Sequence, residues 1–242
     1  MNAIQIEGLT KRYGDVLAVD GLSLCVRQGE LLSLLGVNGA GKTTTIKMLS
    51  CLTRPTQGDA YLLGKSITRE ASAVKSFIAV SPQESAIAHG LSVRENLALM
   101  CGVHGFDREK KADKIREITE LLGLEQVIDR KAGRLSGGWQ RRLSIAMALI
   151  SEPKILFLDE PTLGLDVLAR SDLWDIIRVL KGRVTIILTT HYMEEAEALS
   201  DRVAIMKDGK LLLCDTADGI KQAAGTDRFE EAFVRIVKGV TA

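Results

Sequence analysis

The sequence predicts an α/β fold built on a parallel sheet that is covered by helices on both faces. Two short apolar runs, at 31–35 and 155–158, and a further predicted strand at 184–190 are separated by segments whose apolar residues recur at helical spacing. Runs that are apolar at nearly every position are typical of strands buried on both faces, whereas half-buried strands alternate between apolar and polar residues. Strands that alternate with helices along the chain favour parallel pairing, because each helix carries the chain back across the sheet. The 242 residues suffice for a large buried core.

The first third of the chain is predicted to form short strands around one helix. Ile4 and Ile6 alternate with polar residues, and turn signals stand at Gly14-Asp15 and at Asp20-Gly21. The predicted elements are strands and turns over 1–30, the strand at 31–35, a glycine-rich loop at 36–41, a helix over 42–52, and turns with short strands over 53–66.

The middle of the chain changes character and is predicted to be a helical insertion. Residues 93–125 are rich in Glu, Lys and Arg, and Ile115, Ile118 and Leu122 recur at helical spacing. The charge run at 108–111 is then a solvated helix face. The alternation resumes afterwards, without a clear linker. Its predicted elements are helices over 137–150, 167–180, 194–199 and 229–237, strands at 155–158 and 184–190, and a hairpin around 203–209.

Composition excludes several classes of protein. A hydrophobic fraction of 46% and a charged fraction of 26% are those of an ordinary globular protein, not of a disordered or fibrous one. The 32 basic and 31 acidic residues leave a net charge of +1, so no nucleic-acid partner is expected from bulk electrostatics. No apolar run approaches the roughly 18–20 residues of a membrane helix, and the N-terminus lacks the pattern of a signal peptide. Four scattered cysteines favour neither a disulfide framework nor a zinc site, which fits a reducing cytosol.

One segment carries the pattern of a phosphate-binding loop. Residues 36–43, Gly-Val-Asn-Gly-Ala-Gly-Lys-Thr, match G-x-x-x-x-G-K-[ST] and stand between a predicted strand and a predicted helix. The glycines allow a tight turn whose N–H groups approach phosphate oxygens, and the helix directs its positive end at the same anion. Lys42 is expected to neutralise the β- and γ-phosphates, and the Thr43 hydroxyl to ligate Mg²⁺. The alternative is a chance glycine-rich turn, which the strand–loop–helix context disfavours.

Two carboxylates, Asp159 and Glu160, directly follow the apolar run at 155–158. Ligands of open α/β folds bind where the parallel strands end. Asp159 suits an indirect contact to Mg²⁺, through a bound water or through another ligand of the ion, and Glu160 is suited to polarise an attacking water. Such a pair also commonly caps a helix, so this assignment depends on the phosphate loop elsewhere in the chain.

The ordered set of motifs resembles the ATP-binding subunits of ATP-binding cassette (ABC) transporters. Leu-Ser-Gly-Gly-Trp-Gln at 135–140 resembles the signature motif that separates this family from other P-loop ATPases. Four further positions resemble other family motifs: Gln83 the Q-loop glutamine, Asp166 the end of the D-loop that starts at Pro161, His191 the switch histidine, and Tyr13 the A-loop aromatic. All of them occur in the family's order, and the resemblance covers nearly the whole chain.

The resemblance implies a site for ATP and Mg²⁺. Glu160 and His191 would be catalytic, with His191 in contact with the γ-phosphate, and Asp166 would act in the D-loop. Thr43, Gln83 and Asp159 would hold Mg²⁺. The residues that would contact the nucleotide of this chain, Thr43 and Gln83 again among them, are Tyr13, Gly36, Asn38, Gly39, Ala40, Gly41, Lys42, Thr43, Thr44 and Gln83. Those that would contact the nucleotide of a partner subunit are Ser136, Gly137, Gly138 and Gln140.

Several of these residues also have a plainer interpretation. Ser136 would serve as a helix N-cap, and His191 as an ordinary structural histidine. Tyr13 would pack in a strand, and Gln83 would be an exposed loop residue. Trp174, in a predicted amphipathic helix, is interpreted as core packing.

The signature departs from the family's usual pattern at one position. Trp139 stands where glutamine or a similar residue is usual, and Gln140 follows it. Ser136 and Gly138, which would contact phosphate, are intact. The departure therefore concerns the local geometry at Trp139 and not the presence of the motif.

The resemblance also implies a fold and an arrangement within a larger assembly. The fold is the P-loop NTPase ABC-ATPase fold, with a RecA-like parallel-sheet core, an N-terminal antiparallel β subdomain and an inserted α-helical subdomain at about 84–140. These would form one ATP-binding domain over 1–242, ending in a short helical tail at about 215–242.

The partners would be a second ABC ATPase subunit, in a homo- or heterodimer, and a transmembrane permease that places the chain at the cytoplasmic face of the membrane. The D-loop and the segment after His191 look most like those of ABC-2 type export subunits. The surface at 85–97 is a candidate docking site for the permease, with core packing as the alternative. A cassette ATPase that acts on a soluble complex such as the ribosome is the runner-up function.

Overall fold

Ten strands and nine helices are seen in the computed structural model, which describes residues 1–239. The strands are β1 (Asn2–Tyr13), β2 (Val16–Arg27), β3 (Leu31–Leu35), β4 (Gln57–Leu62), β5 (Lys65–Ser66), β6 (Ile78–Ser81), β7 (Ile155–Asp159), β8 (Thr185–Thr190), β9 (Arg202–Lys207) and β10 (Lys210–Asp215). The helices are α1 (Lys42–Leu49), α2 (Ala71–Lys75), α3 (Val93–Val103), α4 (Arg108–Leu121), α5 (Gly137–Leu149), α6 (Val167–Leu180), α7 (Met193–Leu199), α8 (Ala217–Ala223) and α9 (Phe229–Lys238). The predicted α/β class is confirmed.

A six-stranded sheet of order β10-β9-β3-β8-β7-β6 forms the centre of the fold. Neighbouring strands from β9 to β6 pair in parallel, and β10 pairs antiparallel at the edge. Within β7, Leu156 and Leu158 pack into one hydrophobic cluster, while Ile155 and Phe157 pack into another. Because side chains alternate along a strand, these clusters lie on opposite faces. The sheet is therefore buried on both faces, as the continuous apolar runs predict.

The second sheet is antiparallel, with the order β2-β1-β4-β5. Its first two strands have 12 residues each, longer than predicted, and are joined at the expected turn after Tyr13. The turn predicted at Asp20-Gly21 is wrong, since both residues lie inside β2. Gly21 has a φ of 62°, its N–H donates to the Thr10 hydroxyl at 3.0 Å, and the β1–β2 register shifts nearby. The glycine thus marks an irregularity of the ladder rather than a chain reversal.

The predicted helical insertion contains two helices, α3 and α4. A capping box begins α3, in which the Ser92 side chain accepts from the Glu95 N–H and the Glu95 carboxylate accepts from the Ser92 N–H. Asp107 caps α4. Both helices pack with α5 around apolar residues that include the predicted helix face: Ile115, Ile118 and Leu122. The proposed subdomain limits of about 84 and 140 stay a prediction, and α5 runs across the second of them.

The C-terminal part packs against the β9 side of the central sheet. Phe229, Phe233 and Ile236 of α9 share a hydrophobic cluster with Ile220 of α8 and Ile205 of β9. The predicted hairpin is confirmed as β9–β10, and the predicted helix over 229–237 as α9. α8 lies within the helical tail expected at about 215–242, although no separate helix was predicted over its residues. The last three residues of the proposed tail, 240–242, lie outside the described part of the chain.

Membrane segments and disulfides were both tested by the structure. Within residues 1–239, no helix is long and apolar enough to cross a bilayer. All four cysteines are free, and they range from exposed Cys25 to buried Cys101.

We expect Leu156→Ala to lower the free energy of unfolding by about 2–5 kcal/mol, because it empties a fully buried position in β7. Leu212→Ala, at a position 41% exposed in edge strand β10, is the matched control and should change it by less than about 0.5 kcal/mol. Urea titration followed by circular dichroism measures both values. Equal losses would contradict the burial of β7.

Candidate active site

The loop between β3 and α1 is shaped by glycines that cannot be replaced without a clash. A Cβ on Gly36 would lie 2.5 Å from the Met206 carbonyl oxygen, and one on Gly41 would lie 2.5 Å from that of Ala18. Gly41 also has a φ of 99°, which L side chains rarely adopt. No side chain caps the first turn of α1. The N–H groups of that turn therefore face the loop and form an anion site.

Lys42 lies in the first turn of α1 with its ammonium turned back into the loop. Its Nζ donates to the carbonyl oxygens of Gly36 at 2.7 Å and Val37 at 3.2 Å, and lies 3.6 Å from Glu160 Oε1. Burial lowers the pKa of Lys42, and the carboxylates of Glu160 and Asp159 oppose that shift. The cation is thus enclosed at the point where a phosphate on the loop would meet it.

Asp159 ends β7 and is fixed by two hydroxyls. Thr43 Oγ1 donates to Asp159 Oδ1 at 3.1 Å, and Thr189 Oγ1 donates to the same oxygen at 2.5 Å. A hydroxyl and a carboxylate are hard oxygen ligands of the kind that Mg²⁺ prefers. The pair that the sequence assigned to the metal is therefore adjacent in space, although 116 residues separate its members.

Glu160 occupies an unusual backbone conformation. Its φ is 46°, and its N–H donates to the Thr189 carbonyl at 3.1 Å and to the Thr189 hydroxyl at 3.0 Å. A left-handed conformation at a residue other than glycine costs roughly 1–3 kcal/mol, and such conformations are over-represented at functional sites. The buried carboxylate lies between the Lys42 ammonium and the imidazole of His191, whose Nδ1 is 3.2 Å from Glu160 Oε2.

One cleft brings most of the predicted residues together. Its lining consists of Asn38, Gly39, Ala40, Gly41, Lys42, Thr43, Thr44, Gln83, Glu160, Leu163 and His191. Gly36 contributes through its carbonyl, which binds Lys42. Of these residues, Leu163 was not predicted from the sequence. Their roles toward a nucleotide stay predictions.

Tyr13 lies outside this lining. It ends β1 at the tip of the β1–β2 hairpin, is 46% exposed, and carries the Lys11 ammonium 4.8 Å from its ring centre. The neighbouring strand β2 packs against the loop, where Ala18 approaches Gly41. The structure thus places the hairpin beside the phosphate loop, and stacking of Tyr13 on adenine stays a prediction.

The signature residues lie at the start of α5. Ser136 precedes the helix, but its hydroxyl makes no capping hydrogen bond, and both Ser136 and Gly137 are exposed. The Gln140 amide donates to the Ala132 and Leu135 carbonyls at 3.2 and 3.1 Å. Gln140 is therefore engaged within its own chain, and its assignment to a partner's nucleotide stays a prediction.

Trp139 is a packing residue at this helix start. It lies partly buried against the core of α3–α5, and the Arg142 guanidinium sits 4.6 Å from its ring centre. Arg142 in turn pairs with Asp172 of α6 at 2.6 Å. Trp139 and Arg142 thus pack α5 against its neighbours, while the side of Ser136 and Gly137 stays open.

Sequence reasoning missed the residue that anchors the loop of Gln83. Arg141 of α5 is buried, and its guanidinium donates to the carbonyl oxygens of Pro82 at 2.7 Å and Gln83 at 2.6 Å. Burial lowers the pKa of Arg141. Gln83 itself is exposed at the cleft. No local pattern signals such a bond, because its two ends are 58 residues apart.

Asp166 begins α6. Its carboxylate accepts from the Ala169 N–H at 2.9 Å, which makes it an N-cap, and the residue is exposed. The D-loop therefore runs from Glu160 in the cleft to an exposed helix start.

Comparison with known proteins agrees with this geometry. The family model described as ABC transporter matches residues 19–163. The chain is 41% identical over 229 residues to a daunorubicin resistance ATP-binding protein of Streptomyces coeruleorubidus, covering 94% of this chain and 72% of that protein. It is 43% identical over 208 residues to a Nod factor export ATP-binding protein of Burkholderia lata, covering 86% of this chain and 68% of the relative.

Solved structures give the same result. An ATP-binding subunit of an ABC transporter superposes with a TM-score of 0.84 at 26% identity, covering 97% of this chain and 99% of that one. A dimeric ATP-binding cassette bound to ADP and Pi, in a post-hydrolysis state, superposes with a TM-score of 0.78 at 25% identity, covering 88% and 98%. The chain described here belongs to the ABC transporter family and is one of its ATP-binding cassette ATPases.

Proposed function

We propose that this chain is the ATP-hydrolysing subunit of an exporter, bound through a separate permease to the cytoplasmic face of a membrane. The observation that carries the proposal is the cleft at the ends of β3, β7 and β8, in which Lys42, Glu160 and His191 meet. Relatives named for drug resistance and for Nod factor export support the export direction.

The loop and the first turn of α1 bind the triphosphate through backbone N–H groups. Lys42 neutralises the β- and γ-phosphates from within the loop. Thr43, Asp159 and Gln83 would hold Mg²⁺, which would neutralise charge on the phosphates. The adjacency of the Thr43 and Asp159 oxygens supports this set.

Glu160 orients the attacking water and accepts its proton. The water oxygen bonds to the γ-phosphorus while the bond to the β–γ bridging oxygen breaks, which yields ADP and phosphate. His191, whose Nδ1 lies 3.2 Å from Glu160 Oε2, contacts the γ-phosphate. The left-handed turn at Glu160, bonded to Thr189, directs the carboxylate toward this point.

A second copy of a cassette completes each site in a head-to-tail dimer. Ser136 and Gly137 present an exposed hydroxyl and exposed N–H groups at the positive end of α5, which suits the γ-phosphate held by the other subunit. The dimeric state of the solved cassette with ADP and Pi supports this arrangement.

A groove on α3 and α4 receives a cytoplasmic helix of the permease. Its lining includes Leu91, Ala98, Leu99 and Val103, of which Leu99 is 50% and Val103 69% exposed. Most of this groove lies after the docking segment expected at 85–97, in which Ile87, Val93 and Leu97 are buried core residues. The groove follows the loop of Gln83 along the chain.

Lys42→Ala should weaken ATP binding by roughly 100-fold, about 2.7 kcal/mol, because it removes the enclosed cation of the phosphate loop. Lys47→Ala, on the exposed side of the same helix, is the matched control and should bind ATP like the unmodified chain. Isothermal titration with ATP and Mg²⁺ measures both affinities. Tight binding by Lys42→Ala would contradict the phosphate-loop assignment.

Glu160→Gln should lower kcat for ATP hydrolysis by about 10²–10⁴-fold while ATP affinity is kept, since the amide cannot accept the proton of water. Glu7→Gln, an exposed carboxylate of β1, serves as the control. Phosphate release and nucleotide titration give the two quantities. Turnover at the unmodified rate would show that Glu160 is not the base.

Leu99→Glu should abolish co-purification of a multi-spanning membrane protein after crosslinking in cells, because it puts a charge in the apolar groove. ATPase activity of the purified chain should persist. Leu212→Glu, on exposed β10, is the control and should keep the partner. Recovery of a ribosomal or other soluble partner instead would contradict the transport function.

A further inference from the structure

Two residues of α6 contact the segment that follows the switch histidine. Arg170 and Trp174 are one helical turn apart and therefore share a face of α6. The Arg170 guanidinium lies 4.4 Å from the ring centre of Tyr192, which directly follows His191. Trp174 Nε1 donates to Glu195 Oε1 at 3.1 Å. The interpretation of Trp174 as core packing alone was thus incomplete.

Glu195 is a completely buried carboxyl without an ion pair. Its exposure is 0%, and within residues 1–239 no Lys, Arg or His nitrogen lies within salt-bridge distance of it. Burial raises the pKa of Glu195, against the opposing effects of Thr190, Thr162, Trp174 and the charge of Arg170. Burying such a group costs free energy that an apolar residue would avoid. A stabilising role alone does not explain its presence here.

The same carboxyl faces the two segments that carry Glu160 and His191. Thr190, which precedes His191, accepts from the Tyr192 N–H through its hydroxyl at 2.9 Å and turns toward Glu195. Thr162, two residues after Glu160, faces Glu195 from the D-loop. Neither Thr162 Oγ1 nor Glu195 Oε2 has an aligned hydrogen-bond partner in the described residues, so each is open to the other.

We propose that Glu195 is a positioning residue for ATP hydrolysis: bonded to Trp174, it fixes the segment of His191 to α6, so that the D-loop and the switch histidine move as one body. The proposal rests on the proposed function, because it acts through His191. Glu195 itself does not touch the reacting atoms. It fixes the position of the His191 imidazole relative to the Glu160 carboxylate.

Steady-state ATPase kinetics of the purified chain test the proposal. Glu195→Ala should lower kcat by about 10- to 100-fold, the usual cost of removing a group that orients a site residue, and leave KM for ATP within about twofold because the phosphate loop is untouched. Glu195→Gln should keep most of kcat, since its amide oxygen still accepts from Trp174. Glu194→Ala, the exposed neighbour, is the matched control.

A double-mutant cycle with His191→Ala separates positioning from general structural damage. In the His191→Ala background, Glu195→Ala should cost no further kcat. If the fold-loss of kcat in the double variant equals the product of the two single losses, the proposal is overturned. Trp174→Phe, which keeps most of the ring volume and removes the N–H, is run through the same cycle with the same expectation and covers the case in which Glu195→Ala does not fold.

The controls distinguish failure of this proposal from failure of the proposed function. If His191→Ala lowers kcat while Glu195→Ala and Trp174→Phe do not, the positioning role is overturned and the ATPase function stands. If His191→Ala leaves kcat unchanged, the role of His191 in the proposed function fails, and the positioning role fails with it.

Discussion

Parallel hydrogen bonding between β3, β8 and β7 is the constraint on which the site depends. The ladder pairs Leu35 with Thr190 and Asp159 with Thr189, so the three following loops begin at the same level of the sheet. The Thr189 hydroxyl then joins two of them, since it donates to the Asp159 carboxylate and accepts from the Glu160 N–H. A shift of one residue in this register would turn Asp159 to the other face. The site residues can therefore meet only if the strands pair in this register.

The parts that could be predicted from sequence are those whose physical cause is local. The strand–loop–helix around Lys42 is formed by one continuous stretch of sequence. The buried strand at 155–158 can be recognised from its uninterrupted apolar run. Gly21 shows the limit of such signals, because a positive φ serves a ladder irregularity as well as it serves a turn. The distinction depends on a partner strand that the local pattern does not contain.

The unpredicted parts are contacts between distant segments. Arg141 binds the carbonyl of Gln83, and Trp174 binds Glu195, through single hydrogen bonds that leave no periodicity behind. A buried arginine or glutamate also runs against the general preference of such residues for the surface. Only the packing of α5 and α6 against the loops shows that these polar groups have partners. Arg141 and Glu195 are therefore buried next to the site, although their residue types usually lie at the protein surface.

The left-handed backbone at Glu160 has a consequence for the evolution and engineering of this chain. Stability alone would give that position to glycine, which adopts a φ of 46° without strain. Under the proposed mechanism, selection for turnover therefore opposes selection for stability at Glu160. A programme that ranks substitutions by thermal tolerance would favour replacing Glu160, and under that mechanism the gain in stability would come with a loss of hydrolysis.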